Sequence, residues 1–131
     1  LGLYASFDDA RTWKFREQVG TPGQHPGDLM RLRDGRLLLA YGNRSRTPGV
    51  EVRFGDADGR KWSKPLRVMD WLAAPPTGNP FEHAKHGDGG YPSSVQLSDG
   101  QVLTAYYASG IDGHARYHMG VVLWDPAKSQ P

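Results

Sequence analysis

The sequence predicts an all-β protein built from repeated four-stranded antiparallel units. With 17 Gly and 10 Pro among 131 residues, it favours short strands joined by tight turns over long helices. No segment shows sustained helical periodicity, whereas GDLMRL and VEVRF alternate polar and apolar residues as half-buried strands do. One hairpin-like segment occurs twice, so we expect a structural repeat.

The duplicated segment is a predicted hairpin. MRLRDGRLLLAYG (30–42) aligns with VQLSDGQVLTAYY (95–107), and the Asp-Gly pairs at 34–35 and 99–100 coincide. Each copy has two apolar-rich runs around Asp-Gly, a strong hairpin signal. Asp-Gly predicts a type I′ turn, in which both central residues have positive φ.

Two tryptophans define the length of the repeat. Trp13 ends SFDDARTW, and Trp62 ends GDADGRKW 49 positions later, whereas the two Asp-Gly turns lie 65 positions apart. We assign the excess to an insertion in residues 71–90, which are rich in Pro, Gly and His. The basic period is about 45–50 residues, the length of one four-stranded propeller blade.

The repeat assigns each element in order. The predicted strands are 28–33, 36–42, 49–54, 65–69, 93–97, 102–107 and 116–124, with a tight turn at 55–62. We expect a single partial propeller domain over 1–131: the end of a preceding blade (1–20), a full blade (21–70), a loop insertion (71–91) and an incomplete next blade (92–131). YHMGVVLW (117–124) is expected to be a buried strand.

Composition excludes several functional classes. The formal net charge is +2 and the basic residues are scattered, which argues against a nucleic-acid partner. The sequence has no cysteine, so disulfides and thiolate metal sites are excluded, and no cofactor is expected. No apolar run approaches the roughly 18 residues of a membrane span. Because it begins LGLYASFDD, without Met or a signal-peptide pattern, we expect a piece of a longer protein or a processed chain.

The motifs resemble those of the sialidase (neuraminidase) superfamily. SFDDARTW resembles its BNR repeat or Asp-box, S-x-D-x-G-x-T-W, with Ala10 in place of Gly, and GDADGRKW resembles a decayed copy. The matching residues are Ser6, Asp8, Thr12 and Trp13 in the first copy and Gly59 and Trp62 in the second. GYPSSVQLSDGQVLTAYY (90–107) is similar to the sialidase segment that carries the nucleophilic tyrosine, which here would be Tyr91.

This resemblance implies a fold and a function. The fold would be about two and a half blades of a six-bladed sialidase-like propeller, completed by further blades of the same longer chain or by self-association. The function would be that of a sialidase-like glycoside hydrolase, or part of one, acting on a glycan or oligosaccharide with an acidic sugar. The resemblance alone favours a secreted or periplasmic location.

SFDDARTW itself is predicted to be structural. Its Asp and Ser side chains suit a turn in which they accept backbone N–H bonds, with Trp13 packed beneath. In the blade layout it joins strands three and four, at the end opposite the candidate site. It lacks the converging oxygens that a metal ion needs.

The candidate site residues belong to the other end of the blades. There strand one begins and strand two passes to strand three, around the central channel. The catalytic candidates are Tyr91, Asp88 and His25, and the substrate-binding candidates are Arg44, Arg46, His86 and Arg116. A phenol with a pKa of about 10 needs a base to act as a nucleophile. A guanidinium binds the carboxylate of an acidic sugar in bidentate fashion.

Several alternatives stay open. Tyr91 could stack on a sugar or close a core, and the arginines could be solvated loop charges. His25 stands where the sialidase pattern tends to carry an acid, so the activating Glu is missing at this position. A non-catalytic glycan- or protein-binding propeller is therefore one alternative, and a polysaccharide lyase or other hydrolase using His25 with Tyr91 is another. The spacing of His83, His86 and Asp88 is weak support for a metal site, and none is expected.

Overall fold

Three antiparallel sheets lie side by side in the structure, as propeller blades do. This computed structural model describes residues 1–45, 48–71, 89–108 and 117–128. The strands are β1 (Gly2–Ala5), β2 (Lys14–Gln18), β3 (Gln24–Arg31), β4 (Leu37–Asn43), β5 (Gly49–Gly55), β6 (Leu66–Asp70), β7 (Gly89–Gln96), β8 (Val102–Ala108) and β9 (His118–Trp124). The first sheet pairs β1 with β2, the second has the order β3-β4-β5-β6, and the third has the order β7-β8-β9.

All seven predicted strands are present, and two of them begin four residues early. β3 begins at Gln24 instead of 28, and β7 at Gly89 instead of 93. Both additions contain Gly and Pro, which interrupt a regular strand pattern, and in both the register shifts at a bulge. The β1–β2 pair was not assigned as strands from the sequence.

The prediction of type I′ turns at Asp-Gly is wrong. In the first copy the amide of Gly35 donates to the carbonyl of Leu32 at 3.0 Å, and only the glycine of the Asp-Gly pair has positive φ, at 89°. The second copy repeats this, with Gly100 at φ 95°. Each loop therefore has three residues, a type I turn followed by a left-handed glycine. The aspartate side chain caps the loop instead: Asp34 Oδ1 accepts the amide of Arg36 at 3.0 Å.

The SFDDARTW segment forms the β1–β2 turn, and its side chains satisfy its backbone as predicted. Ser6 Oγ accepts the amide of Ala10 at 2.9 Å, and Asp8 accepts both the amide (2.9 Å) and the hydroxyl (2.6 Å) of Thr12. Ala10 has φ 62°, the left-handed conformation that favours glycine. Trp13, expected beneath the turn, is 61% exposed among the described residues.

GDADGRKW forms the corresponding β5–β6 turn with a different aspartate. Asp56 Oδ1 accepts the amide of Arg60 at 2.7 Å, the same four-residue span as Asp8 to Thr12, although the alignment placed Ala57 opposite Asp8. Here Trp62 does pack onto the strand: a Cβ on Gly55 would lie 2.9 Å from its ring. The capping carboxylate has moved by one residue while the turn persists.

The hydrophobic core lies between the second and third sheets. Its buried members are Leu32, Leu38, Ala40, Val52, Phe54, Val102 and Trp124. Phe54 and Trp124 meet edge-on, with ring centroids 6.2 Å apart. A smaller cluster of Val19, Leu39 and Tyr41 joins the first sheet to the second. Each core comes from alternate residues of β4, so this strand is buried on both faces.

Strand β9 is buried on one face only in the described chain. Val122 and Trp124 pack toward the second sheet, whereas Met119, Val121 and Leu123 are exposed. The expectation of a buried strand over 117–124 therefore holds for alternate residues. No helix among the described residues is long and apolar enough to cross a membrane.

An arginine fastens the two large sheets at the Asp-Gly end. Arg33 of the second sheet donates from Nη1 to the carbonyl of Ser98 at 3.1 Å and from Nη2 to the carbonyl of Leu97. Its backbone amide also donates to Gln96 Oε1 at 2.9 Å. Farther along the sheet boundary, the amide of Ser94 donates to Asp28 Oδ2 at 2.7 Å. These hydrogen bonds therefore fix how far the third sheet is displaced relative to the second along the strand direction.

We predict that replacing Arg33 with Met lowers the free energy of unfolding by about 1 kcal/mol. It removes charge-assisted bonds to backbone carbonyls, which are worth more than neutral ones, at an exposed position that moderates the loss. Urea unfolding measures the change. Arg60→Met is the matched control, because within the described residues the side chain of that exposed arginine makes a single ion pair, with Asp58 at 3.9 Å. Equal unfolding midpoints for the two variants would contradict the bridging role.

The pKa of Asp8 is lowered to about 2, from an ordinary 3.8. The largest cause is the hydrogen bond from the Thr12 side chain, followed by those from the Thr12 amide and the Ser6 side chain. Because the folded pKa is the lower one, the stabilisation is complete above pH 3.8 and is lost as the pH falls toward 2. We predict that Asp8→Asn flattens the dependence of unfolding free energy on pH across this window. The control is Asp9→Asn, on the neighbouring residue, and a slope unchanged by Asp8→Asn would contradict the assignment.

Candidate functional site

Two matching bulges mark the candidate site end of the sheets. In β3, His25 and Pro26 lie in the register shift between Gln24 and Gly27, and in β7, Tyr91 and Pro92 lie in that between Gly90 and Ser93. Each X-Pro pair thus supplies the bulged residues of its strand. The structure therefore gives His25 and Tyr91 corresponding positions in adjacent sheets.

The backbone at Tyr91 is left-handed. Gly90 has φ 124° and Tyr91 has φ 48°, a conformation that bulky residues rarely adopt. The Tyr91 side chain is 61% exposed. Such strain, at about 1–3 kcal/mol for a residue of this kind, is concentrated at functional sites.

Two glycines bring the second and third sheets into backbone contact beside Tyr91. A Cβ on Gly42 of β4 would lie 2.8 Å from the Cα of Gly90 and 3.2 Å from the carbonyl oxygen of His25. A side chain at position 42 would therefore force the sheets apart at this end. Because both residues lack side chains, the next residues along β4 can reach over β7.

Arg44 crosses this contact. Its Nε donates to the carbonyl of Gly89 at 2.9 Å, and its Nη2 donates to the hydroxyl of Tyr107 at 3.2 Å. Its guanidinium carbon lies 5.7 Å from the centroid of the Tyr91 ring, within cation–π range. The structure thus brings together Arg44 and Tyr91, two of the predicted site residues, on either side of the sheet boundary.

The backbone of Arg44 is also fixed. Its amide donates to the carbonyl of Gly23 at 2.8 Å. The preceding Asn43 accepts both the amide (2.9 Å) and the hydroxyl (2.6 Å) of Ser45 with Oδ1. The turn after β4 is therefore set by the side chain of Asn43.

A buried carboxylate supports that asparagine. Glu51 is 8% exposed and accepts Asn43 Nδ2 at 2.9 Å and Arg67 Nη2 at 2.9 Å. Gln24 Nε2, at the start of β3, reaches its other oxygen at 3.3 Å. Burial, with the Glu51 charge beside it, raises the pKa of Tyr41. Sequence reasoning missed this network, in which Glu51 is an inward-facing residue of VEVRF.

Sequence reasoning also missed two tyrosines. Tyr107 and Tyr117 continue from Tyr91, each neighbouring pair having ring centroids 5.5 Å apart. Counting outward from the Asp99-Gly100 turn pairs Tyr107 with Tyr91, and the bulge in β7 then shifts the observed partner to Gly90. The hairpin register could therefore have placed Tyr107 beside Tyr91. For Tyr117, which follows residues outside the described ranges, no comparable signal exists.

Of the other candidates, only His25 lies within the described residues. His25 is exposed at the start of β3, and its side chain makes no hydrogen bond within the described part of the chain. The predicted pairing of His25 with Tyr91 therefore has no hydrogen bond behind it. Arg46, His86, Asp88 and Arg116 lie outside the described residues. Within the described ranges, no three His, Asp or Glu side chains come together as metal ligands would.

Comparisons with known proteins support the fold. No protein-family model matches the chain, and no curated protein does. A protein of unknown function from Dyadobacter fermentans matches in structure with a TM-score of 0.68 and 26% identity, over 93% of this chain and 30% of that one. An α-L-arabinanase from Penicillium chrysogenum, solved with arabinobiose, matches with a TM-score of 0.60 and 19% identity, over 93% of this chain and 35% of that one.

These likenesses confirm a partial β-propeller. The arabinanase is a five-bladed propeller, and this chain spans about a third of the length of either protein. At 19% identity that second likeness shows the fold alone. Neither protein is described as a sialidase, and the six-blade count stays a prediction.

We predict that Gly42→Ala destabilises the protein by about 1–3 kcal/mol, because the added methyl group meets the backbone of β7. Urea unfolding measures the loss. The control is Gly27→Ala, whose methyl group would meet Leu39 Cδ1, the end of a flexible side chain, at 3.2 Å. If Gly42→Ala is no more destabilising than the control, the sheets do not depend on this contact.

Proposed function

We propose that this chain is part of a carbohydrate-active propeller whose site holds an acidic sugar unit of a glycan between Arg44 and Tyr91. The observation that carries the proposal is the position of the Arg44 guanidinium, over the Tyr91 ring and bonded across the sheet boundary to Tyr107. An exposed aromatic ring beside an oriented cation suits a ligand that combines an apolar ring face with a carboxylate.

The physical argument combines two contacts. The exposed ring of Tyr91 offers a flat apolar surface on which the C–H face of a sugar can stack. Arg44 is only partly exposed, so its charge is less screened than that of a surface arginine. An acidic sugar stacked on Tyr91 would bring an equatorial carboxylate toward the Arg44 charge. A neutral sugar has no carboxylate and would not gain this contact.

Glycoside hydrolysis is the reaction we propose for the complete protein. The propeller fold shared with an arabinanase and the resemblance to the tyrosine-bearing segment of sialidases support it. In its most specific form, Tyr91 is the nucleophile that cleaves a terminal sialic acid, as tyrosine does in sialidases. That form requires a base on the Tyr91 hydroxyl, supplied by a carboxylate of the complete protein.

Binding without cleavage is the second candidate. Among the described residues no carboxylate is hydrogen-bonded to the Tyr91 hydroxyl, and the ring itself contacts Arg44 and Tyr107. A glycan-binding propeller needs this ring and this cation but no activated phenol. The two candidates therefore make opposite predictions for the hydroxyl of Tyr91.

The experiment compares Tyr91→Phe with Tyr91→Ala in the full-length protein. Turnover of aryl sialosides, aryl uronides and an aryl arabinoside is measured together with binding of the free acidic sugars. A nucleophile predicts that Tyr91→Phe loses at least about a thousandfold in turnover while the sugar still binds. A binding platform predicts that Tyr91→Phe retains affinity and that Tyr91→Ala loses about tenfold.

Arg44→Gln tests the acidic group. It should weaken the binding of acidic sugars about ten- to a hundredfold, because one charge-assisted contact is lost. The affinity for a neutral sugar should stay nearly unchanged. Arg33→Met is the matched control, because it also cuts a bridge between the two sheets but at their other end. Absence of both binding and turnover for every acidic sugar would refute the proposal.

A further inference from the structure

Three tyrosines form a continuous row across the third sheet. Tyr91 lies on β7, Tyr107 on β8, and Tyr117 directly precedes β9. The ring planes are inclined at 44° between Tyr91 and Tyr107 and at 49° between Tyr107 and Tyr117. We call these residues the tyrosine row.

The two ends of the tyrosine row are open to solvent. Tyr91 is 61% exposed and Tyr117 is 63% exposed, whereas Tyr107 between them is partly buried. Arg44 holds the hydroxyl of Tyr107 and lies over Tyr91, so the cation belongs to one end of the row. The row therefore has Arg44 at the Tyr91 end and an exposed aromatic ring at the Tyr117 end.

We infer that the ligand is an oligosaccharide of at least two sugar units, its acidic unit on Tyr91 and a further unit on Tyr117. This inference rests on the proposed function. A single sugar ring stacks on one aromatic ring. The tyrosine row extends one ring, Tyr117, beyond the two that Arg44 contacts. The Tyr117 ring would therefore raise the affinity for a longer oligosaccharide and leave the affinity for a monosaccharide unchanged.

Tyr117 could instead have a packing role, because it lies on an exposed apolar face. On the strand that follows, Met119, Val121 and Leu123 are exposed on the same side. If another part of the protein covers this face, Tyr117 contributes to packing and not to ligand length. The experiment must therefore report both stability and chain-length dependence.

Isothermal titration of the full-length protein uses galacturonic acid and N-acetylneuraminic acid, each with its linear di- and trisaccharide. In at least one series we expect the trisaccharide to bind about tenfold more tightly than the monosaccharide, the effect of one added stacking contact. Tyr117→Ala should remove this advantage and leave monosaccharide affinity unchanged, whereas Tyr117→Phe should keep it. Met119→Ala, 76% exposed on the same face, is the matched control and should change neither affinity.

Three results would overturn the inference. These are equal affinity at all lengths, a loss that affects the monosaccharide equally, and an advantage that survives Tyr117→Ala. The last result, with a lower unfolding midpoint for Tyr117→Ala, would assign Tyr117 to packing. Failure of every saccharide to bind, together with no turnover of any acidic sugar, would refute the proposed function and this inference with it. Binding without length dependence refutes this inference alone.

Discussion

The candidate site depends on the backbone contact between Gly42 and Gly90. A methyl group at position 42 would lie 2.8 Å from the Cα of Gly90, so the two sheets approach there as closely as unsubstituted backbones permit. That approach lets Arg44 reach the carbonyl of Gly89 and the hydroxyl of Tyr107. The candidate site lies at the boundary between two sheets. Its geometry is set by Gly42 and Gly90, which have no side chains to hold the two strands apart.

Arginines bridge the same two sheets at both ends. Arg33 bonds to carbonyls of the Asp99-Gly100 hairpin, and Arg44 bonds to Gly89 at the start of β7. Because the acceptor in each of these bonds is a backbone carbonyl, neither bond depends on the side chain of the residue that accepts it. The ends differ in what surrounds the cation: tyrosine rings lie around Arg44, whereas Arg33 meets a turn. Hydrogen bonds therefore join the two sheets at both ends, and at the Arg44 end they adjoin the proposed sugar-binding surface.

Hairpin repetition could be predicted from the sequence because it depends on local chemistry. The repeat, supported by alternation in GDLMRL and VEVRF, predicted the seven strands, and Asp-Gly located both hairpins. Turn type depends on loop length, which a dipeptide does not specify. The starts of β3 and β7 were missed because His25-Pro26 and Tyr91-Pro92 are strand-breaking in composition and are accommodated by bulges. Glu51 and Tyr107 were missed for a different reason: each gains its role from partners on neighbouring strands, and a single strand pattern cannot report them.

The two equivalent bulges differ in backbone conformation, and this difference supports the proposed site. Both bear an X-Pro pair, yet of the two only Tyr91 has a left-handed backbone, and it is exposed, so no core contact of its ring explains the strain. The other left-handed non-glycine residues described, Asp9 and Ala10, lie in a turn whose own hydrogen bonds account for their conformation. Tyr91 lies in the β7 bulge, but the equivalent bulge in β3 forms without a left-handed His25, so the bulge alone does not require this conformation. A ligand held between Tyr91 and Arg44, as proposed above, would account for strain at an exposed aromatic residue. In the repeat that lacks this strain, His25 stands at the equivalent position and its side chain makes no hydrogen bond within the described ranges.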